Sequence, residues 1–167
     1  MSRAFVKEDD QEEIPIISPR AHLSVGEINY VTSLGLRQLM DERESLLQER
    51  SNVDISYANE RRIALLVING KLQLLNDRIH SARQIDSSSQ ERNSIRFGAK
   101  IQLKIDGTVK TQNLQIVGVD EADIAKGKIA FTSPLAKILN HKKVGDQAIL
   151  KLESGNRIFE ILKIEYP

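Results

Sequence analysis

The chain has 167 residues, 40% of them hydrophobic, a net charge of +1 and no cysteine. That length holds one large or two small domains, and the absence of cysteine excludes disulfides and thiolate metal sites. No apolar run approaches the roughly 18 residues of a membrane span, and no apolar stretch comes after a basic start, so neither a membrane helix nor a secretory signal is expected. His22, His80 and His141 are too scattered to form a histidine metal cluster. Charge is uneven: −2 over residues 1–23, −1 over 24–94 and +4 over 95–167. No segment is basic enough for strong autonomous DNA binding through phosphate neutralisation.

Residues 1–23 read as a tail. Glu8-Asp9-Asp10-Gln11-Glu12-Glu13 is acidic, and Pro15 and Pro19 bias residues 14–20 toward extended structure, so a disordered or loosely docked arm is expected. Residues 24–86 read as a helical hairpin. Ser24 and Glu27 have capping-box spacing, and Thr32 or Ser33 offers another cap. Leu36, Leu39, Met40, Leu46 and Leu47 recur every three to four residues. The pattern breaks at Ser51-Asn52-Val53-Asp54-Ile55-Ser56, rich in turn formers, where Asp54 or Ser56 can cap a second helix. That helix carries Leu65, Ile68, Leu72, Leu75, Ile79 and Ala82 at heptad spacing, which calls for a partner at a shallow angle. A short turn between two such helices predicts an antiparallel coiled-coil hairpin with its tip near residues 51–60. Gly70 weakens the second helix and allows a close approach.

Residues 87–94 hold no apolar side chain and read as a linker. Beyond them, over 95–167, the hydrophobic period changes from 3.6 to 2. Ile101, Leu103 and Ile105 alternate with Lys100, Gln102 and Lys104 as a half-buried strand, and Asp106-Gly107 signals a hairpin turn. Val109 to Val119 and Lys128 to Phe131 are further strand candidates. Ser133-Pro134 starts a short helix, with serine as N-cap and proline at the first helical position. Strands around Ala148 to Leu152 and Arg157 to Tyr166 flank Ser154-Gly155. The expected fold is α+β, a helical hairpin followed by a small antiparallel β domain with one short helix.

The order Val117-Gly118-Val119-Asp120-Glu121-Ala122-Asp123, then Ser133-Pro134-Leu135-Ala136-Lys137-Ile138-Leu139, then Gly145-Asp146 and Ile164-Glu165-Tyr166 resembles the C-terminal domain of the Gre family of bacterial transcript-cleavage factors. Tyr30-Val31-Thr32 with Gly35, Leu36 and Leu39 looks like the start of that family's coiled coil. Ile138 stands where members usually have a small residue, and Asn140-His141 replace an apolar residue and glycine, which marks a divergent member. The resemblance implies an FKBP-like C-terminal domain, docking beside the secondary channel of bacterial RNA polymerase, with Thr132, Ser133 and Pro134 as polymerase contacts. It implies a cytoplasmic accessory factor that is not an enzyme by itself, since the catalytic centre belongs to the polymerase. A monomer is expected, one that meets nascent RNA and DNA only indirectly and needs no intrinsic cofactor. Two acids at the hairpin tip would help hold a second Mg²⁺ at the polymerase active centre, where a hard cation takes oxygen ligands and activates water to cut backtracked RNA.

The tip departs from the family run, approximately Gly-Asp-Leu-Ser-Glu-Asn-Ala-Glu. Here it reads Val53-Asp54-Ile55-Ser56-Tyr57-Ala58-Asn59-Glu60. Asp54 matches the first acid and is the candidate Mg²⁺ ligand. Tyr57 falls where the second acid belongs, and a neutral phenol is a poor Mg²⁺ ligand. Glu60 is the remaining candidate catalytic acid. Each reads a second way: Asp54 as a cap or turn residue, Glu60 as a first-turn glutamate favoured by the helix dipole, and Ser133-Pro134 as a plain helix start. Alternatives to a cleavage factor are a channel-binding regulator without cleavage activity, an FKBP-type prolyl isomerase and a homodimeric coiled-coil adaptor.

Overall fold

Two antiparallel helices meet a curled five-stranded sheet in the computed structural model, which describes residues 14–54 and 56–167. Helix α1 spans Ser33–Ser51 and α2 spans Ala58–Ser81. Leu39, Leu46, Ile68, Leu72 and Leu75 are buried between them, with Leu36, Leu47, Val53, Ile79 and Ala82 packed at the margins. This is the expected stripe, except that Met40 is exposed and Leu65 lies outside the cluster, only half-buried.

The hairpin is shorter than the 24–86 expected from spacing. Ser24 and Glu27 form a turn, with the Glu27 amide donating to the Ser24 carbonyl at 3.0 Å, and no helix starts there. Thr32 caps α1 instead, its hydroxyl accepting from the Gly35 amide at 2.9 Å. Between turn and cap runs β1, Asn29–Val31, which pairs in parallel with β2, Ala82–Gln84, just beyond α2. The reason is local to the hairpin base. The buried Asn29 amide donates to the Arg78 carbonyl at 3.0 Å, so a side chain from the start of the hairpin satisfies an orphan carbonyl at the end of α2.

Residues 1–13 of the expected tail lie outside the described residues. Residues 14–23 are not a loose arm. They run extended along the hairpin, where Ile17 sits on Gly70 so closely that a Cβ there would lie 1.8 Å from the Ile17 Cδ1. Gly70 therefore makes room for this segment rather than for the partner helix.

The sheet has the order β5-β4-β3-β7-β6. Its strands are β3 Lys100–Ile105, β4 Thr111–Val117, β5 Lys128–Ala130, β6 Gln147–Leu152 and β7 Gly155–Glu165. It is mixed rather than purely antiparallel, because β5 returns parallel to β4. The turn after β4 redirects the chain through a short 3-10 helix at Ile124–Lys126, capped by Asp123. Val109, placed in a strand by its sequence, is exposed in the turn before β4. A bulge between Gln102 and Leu103 curls the sheet. Helix α3, Pro134–Leu139, buries Ala136 and Leu139 against the concave face, in a core with Ile101, Leu103, Leu114, Ile116, Phe159 and Ile161.

The expected linker at 87–94 is ordered. Asp86 caps a 3-10 turn at Ser87–Ser89, and the Ser88 backbone amide, then the Ser88 hydroxyl, hold its carboxyl below the usual range. Ser94 is buried, and the Tyr166 hydroxyl donates to its carbonyl at 2.6 Å while accepting from the Arg96 amide at 2.9 Å. Burial pushes the Tyr166 phenol above its usual value. Tyr166→Phe should therefore cost about 1–2 kcal/mol in a urea titration, because two backbone groups are left unpaired. The wild-type contribution is present below the unfolded tyrosine value of about 10. It disappears as pH rises through the higher folded value, and Tyr166→Phe should flatten that alkaline loss.

Candidate functional site

Three places are candidates for a functional role: the hairpin tip, the start of α3, and the seam between hairpin and sheet. At the tip, α1 ends when the Asn52 amide donates back to the Gln48 carbonyl at 3.1 Å. The N-cap of α2 is Tyr57, with no side-chain cap bond, so neither Asp54 nor Ser56 caps the helix. Tyr57 is 71% exposed. Asp54 lies in the tip turn and Glu60 in the first turn of α2, both exposed. Among the described residues neither carboxylate takes part in a hydrogen bond or ion pair. The Arg62 guanidinium donates to the Asn59 side chain at 3.2 Å. Among the described residues Asp54 is thus an exposed carboxylate without a structural task, while Glu60 is compatible with a first-turn role.

At α3, the Ser133 hydroxyl accepts from the Ala136 amide at 3.2 Å, and Pro134 occupies the first turn. Thr132 and Ser133 are half-buried and Pro134 is exposed. Ser133→Ala should lower stability by about 1 kcal/mol in a thermal melt, and Ser133→Asn should restore most of it. If Ser133 also touches a partner, Ser133→Asn will be stable yet bind less.

The seam joins residues that lie within the two motifs named above but to which the sequence assigns no contact with one another, Thr32 and Gly35 on one side and Gly118, Asp120 and Glu121 on the other. Glu121 is buried, accepts from the Thr32 hydroxyl across the seam, and pairs with the Lys128 ammonium at 2.9 Å. Thr32 thus caps α1 and holds the sheet at once. Gly35 leaves room for this: a Cβ there would lie 2.6 Å from a Glu121 carboxylate oxygen. Gly118 does the same for the backbone, since its Cβ would lie 2.7 Å from the Tyr30 carbonyl. The Tyr30 ring closes over Phe97 and Phe131, with centroids 5.8 and 5.5 Å away. The three rings are half-buried and line a cavity together with Ile116, Ala136 and His141. Neighbouring Asp120 faces two arginines, with Arg20 Nε at 2.9 Å and Arg78 Nε at 3.2 Å. The readable signal for the seam is Gly35, Gly118 and two consecutive acids at a strand end; Arg20 gives none.

Known proteins resemble this chain in sequence. The model of the C-terminal domain of transcription elongation factors GreA/GreB matches residues 89–166, which include Asp120, Glu121 and the α3 start. A transcription elongation factor GreA of Hyphomonas neptunium is 36% identical over 132 residues, covering 75% of this chain and 84% of its own. The chain belongs to the GreA/GreB transcription elongation factor family. A second GreA, from Acidiphilium cryptum, is 36% identical over 139 residues, 78% of this chain and 88% of its own. Among solved structures, the GreA/GreB factor of Nitrosomonas europaea aligns over 82% of this chain and 98% of its own, at 16% identity and TM-score 0.42. Thermus aquaticus Gfh1 aligns over 81% of this chain and 97% of its own, at 24% identity and TM-score 0.40. The family model covers residues 89–166 alone, whereas the GreA relatives, spanning 75–78% of the chain, extend into the hairpin. Among the described residues the tip presents two exposed acids outside any hydrogen bond or ion pair, Asp54 and Glu60, on either side of the exposed Tyr57.

Proposed function

We propose that this chain is an accessory elongation factor, without catalysis of its own, that binds bacterial RNA polymerase at the secondary channel and stimulates cleavage of backtracked RNA. The observation that carries the reading is Asp54: an exposed carboxylate at the hairpin tip that caps nothing and pairs with nothing among the described residues. The β domain docks through Thr132, Ser133 and Pro134, and the hairpin carries Asp54 into the channel.

The tip does not fit a resident metal. Mg²⁺ takes a near-octahedral set of oxygen donors, and among the described residues no three metal-binding side chains gather. Asp54 instead adds a carboxylate oxygen to an ion that the polymerase holds. Such an ion activates water and stabilises the leaving oxygen. Glu60, one turn into α2, supports the negative potential at the tip.

Partners under this reading are the polymerase directly, and nascent RNA and DNA through it. A monomer is supported by the hairpin closing on its own apolar stripe, and a cytoplasmic place follows from the polymerase as partner. No helix among the described residues is long and apolar enough to cross a membrane. The deciding experiment adds the wild-type protein and Mg²⁺ to a stalled, backtracked elongation complex and looks for shortened RNA. A second reading, a channel-binding regulator without cleavage activity, is favoured by one observation: the exposed phenol of Tyr57 where the second acid is expected. Channel binding with no RNA shortening would select it.

A further inference from the structure

We infer that Arg20 is a positioning residue, part of an N-terminal strap that fixes the angle between hairpin and β domain and so sets where the tip lies. The inference rests on the tip being the working end, as proposed above.

Arg20 joins α1 to the β domain with one side chain, and α2 reaches the same carboxylate through Arg78. Its two terminal nitrogens bind both oxygens of Glu42 on α1, at 2.8 and 3.0 Å. Its Nε binds Asp120 of the β domain at 2.9 Å. Asp120 is held from the other side by Arg78 of α2, at 3.2 Å, and Arg78 also donates to the Ala21 carbonyl of the strap. The fork is the arrangement a planar guanidinium makes best, and lysine cannot reproduce it. The side chains of Arg20, Arg78 and Asp120 are 18%, 12% and 9% exposed, and that of Glu42, on the solvent side of the fork, is 44% exposed. The hydrogen bonds to Glu42, with Asp120 adding to them, hold the Arg20 guanidinium above its usual value against burial. Ile17, seated on Gly70, anchors the strap further along α2.

The lever arm gives these contacts their weight. Tyr30, Thr32, Glu121 and Gly118 all fasten the domains at the hairpin base. Glu42 lies nine residues into α1, about 13 Å up its axis at 1.5 Å per residue. A contact off the base resists tilting where contacts at the base act as a hinge. Over the roughly 28 Å length of α1, a tilt of about 10° would move the tip by about 5 Å, more than a metal ligand tolerates. Domains joined through modest polar interfaces move relative to one another unless something stops them. Arg20 is placed to stop this one.

The chain has no cysteine, so a labelling test needs no background removal. Nitroxides on Glu49→Cys and Lys151→Cys report the distance between hairpin and β domain by pulsed electron resonance, without polymerase. A second pair, Glu49→Cys with Asn76→Cys, reports the hairpin alone. Arg20→Ala should broaden the first distribution by about twofold or more and leave the second unchanged, as expected for a released domain. Arg20→Lys should fall between, keeping an ion pair but losing the fork. Gly70→Ala, which evicts Ile17, should broaden the first distribution as well. An unchanged first distribution in Arg20→Ala overturns the inference, and so does equal broadening of both, which would mean a loosened hairpin. Broadening in Arg20→Ala together with no cleavage by wild type would sink the proposed function and leave the positioning role intact.

Discussion

Asp54→Ala is expected to abolish RNA cleavage stimulation while leaving polymerase binding within about twofold and stability within about 0.5 kcal/mol. The small stability change follows from the tip geometry. Asp54 caps no helix and joins no hydrogen bond or ion pair among the described residues, so its removal breaks nothing in the fold. The large functional change follows from metal chemistry, where losing one oxygen ligand lowers occupancy of the ion rather than docking of the protein. Asp54→Ser separates this from any residual turn role, because serine keeps the turn and loses the charge. Full cleavage with Asp54→Ser would end the metal reading. The reverse substitution is as informative. Tyr57 is exposed at the N-cap of α2, so Tyr57→Glu replaces a projecting phenol with a carboxylate at no packing cost. It should raise stimulation above wild type. Glu60→Gln should have a smaller effect than Asp54→Ala, since its position in the first turn of α2 already accounts for it.

Glu121→Ala should be the most destabilising single change at the seam, costing about 3 kcal/mol in a urea titration. The Glu121 side chain is 3% exposed and that of Lys128 19%, so removing the carboxylate strands a largely buried ammonium. Partial exposure of the lysine places the cost at the lower end of the range for broken buried pairs. Thr32 also loses its acceptor across the seam but keeps the Gly35 amide, so α1 stays capped. The pair should be strongly non-additive. Adding Lys128→Met to Glu121→Ala should recover much of the loss, because the orphan charge is removed with it. Simple addition of two destabilisations would show that the Glu121–Lys128 pair is not what holds this part of the seam.

Much of the molecule is legible because short-range chemistry wrote it. Leucine and isoleucine at three- and four-residue steps mark α2, and a change to period two marks β3. Ser133-Pro134 marks the start of α3, and Asp106-Gly107 a turn in which Gly107 takes a φ of 73°. The tip acids stand out the same way, from position within a turn between two helices. The features that are not legible come from partners far apart in the chain. The start of α1 at Ser33 depends on β1 pairing with β2, with Asn29 opposite Ala82. The parallel return of β5 depends on the turn after β4. Gly70 reads as a point of helix approach, and Ile17 fills it. Arg20 and Asp120, one hundred residues apart, meet only once the hairpin lies on the sheet.

The sequence by itself determined the hairpin, the β domain, the Ser133 cap and the presence of an acid at the tip, since each depends on residues within a turn or two of one another. Tertiary structure alone decided that Asp54 is left without a structural partner among the described residues, that Glu121 and Asp120 fasten the seam, and that residues 14–23 lie against the hairpin. Those outcomes turn on which charges and backbone groups are buried together. Burial is set by how the elements pack, and periodicity along the chain carries no record of it.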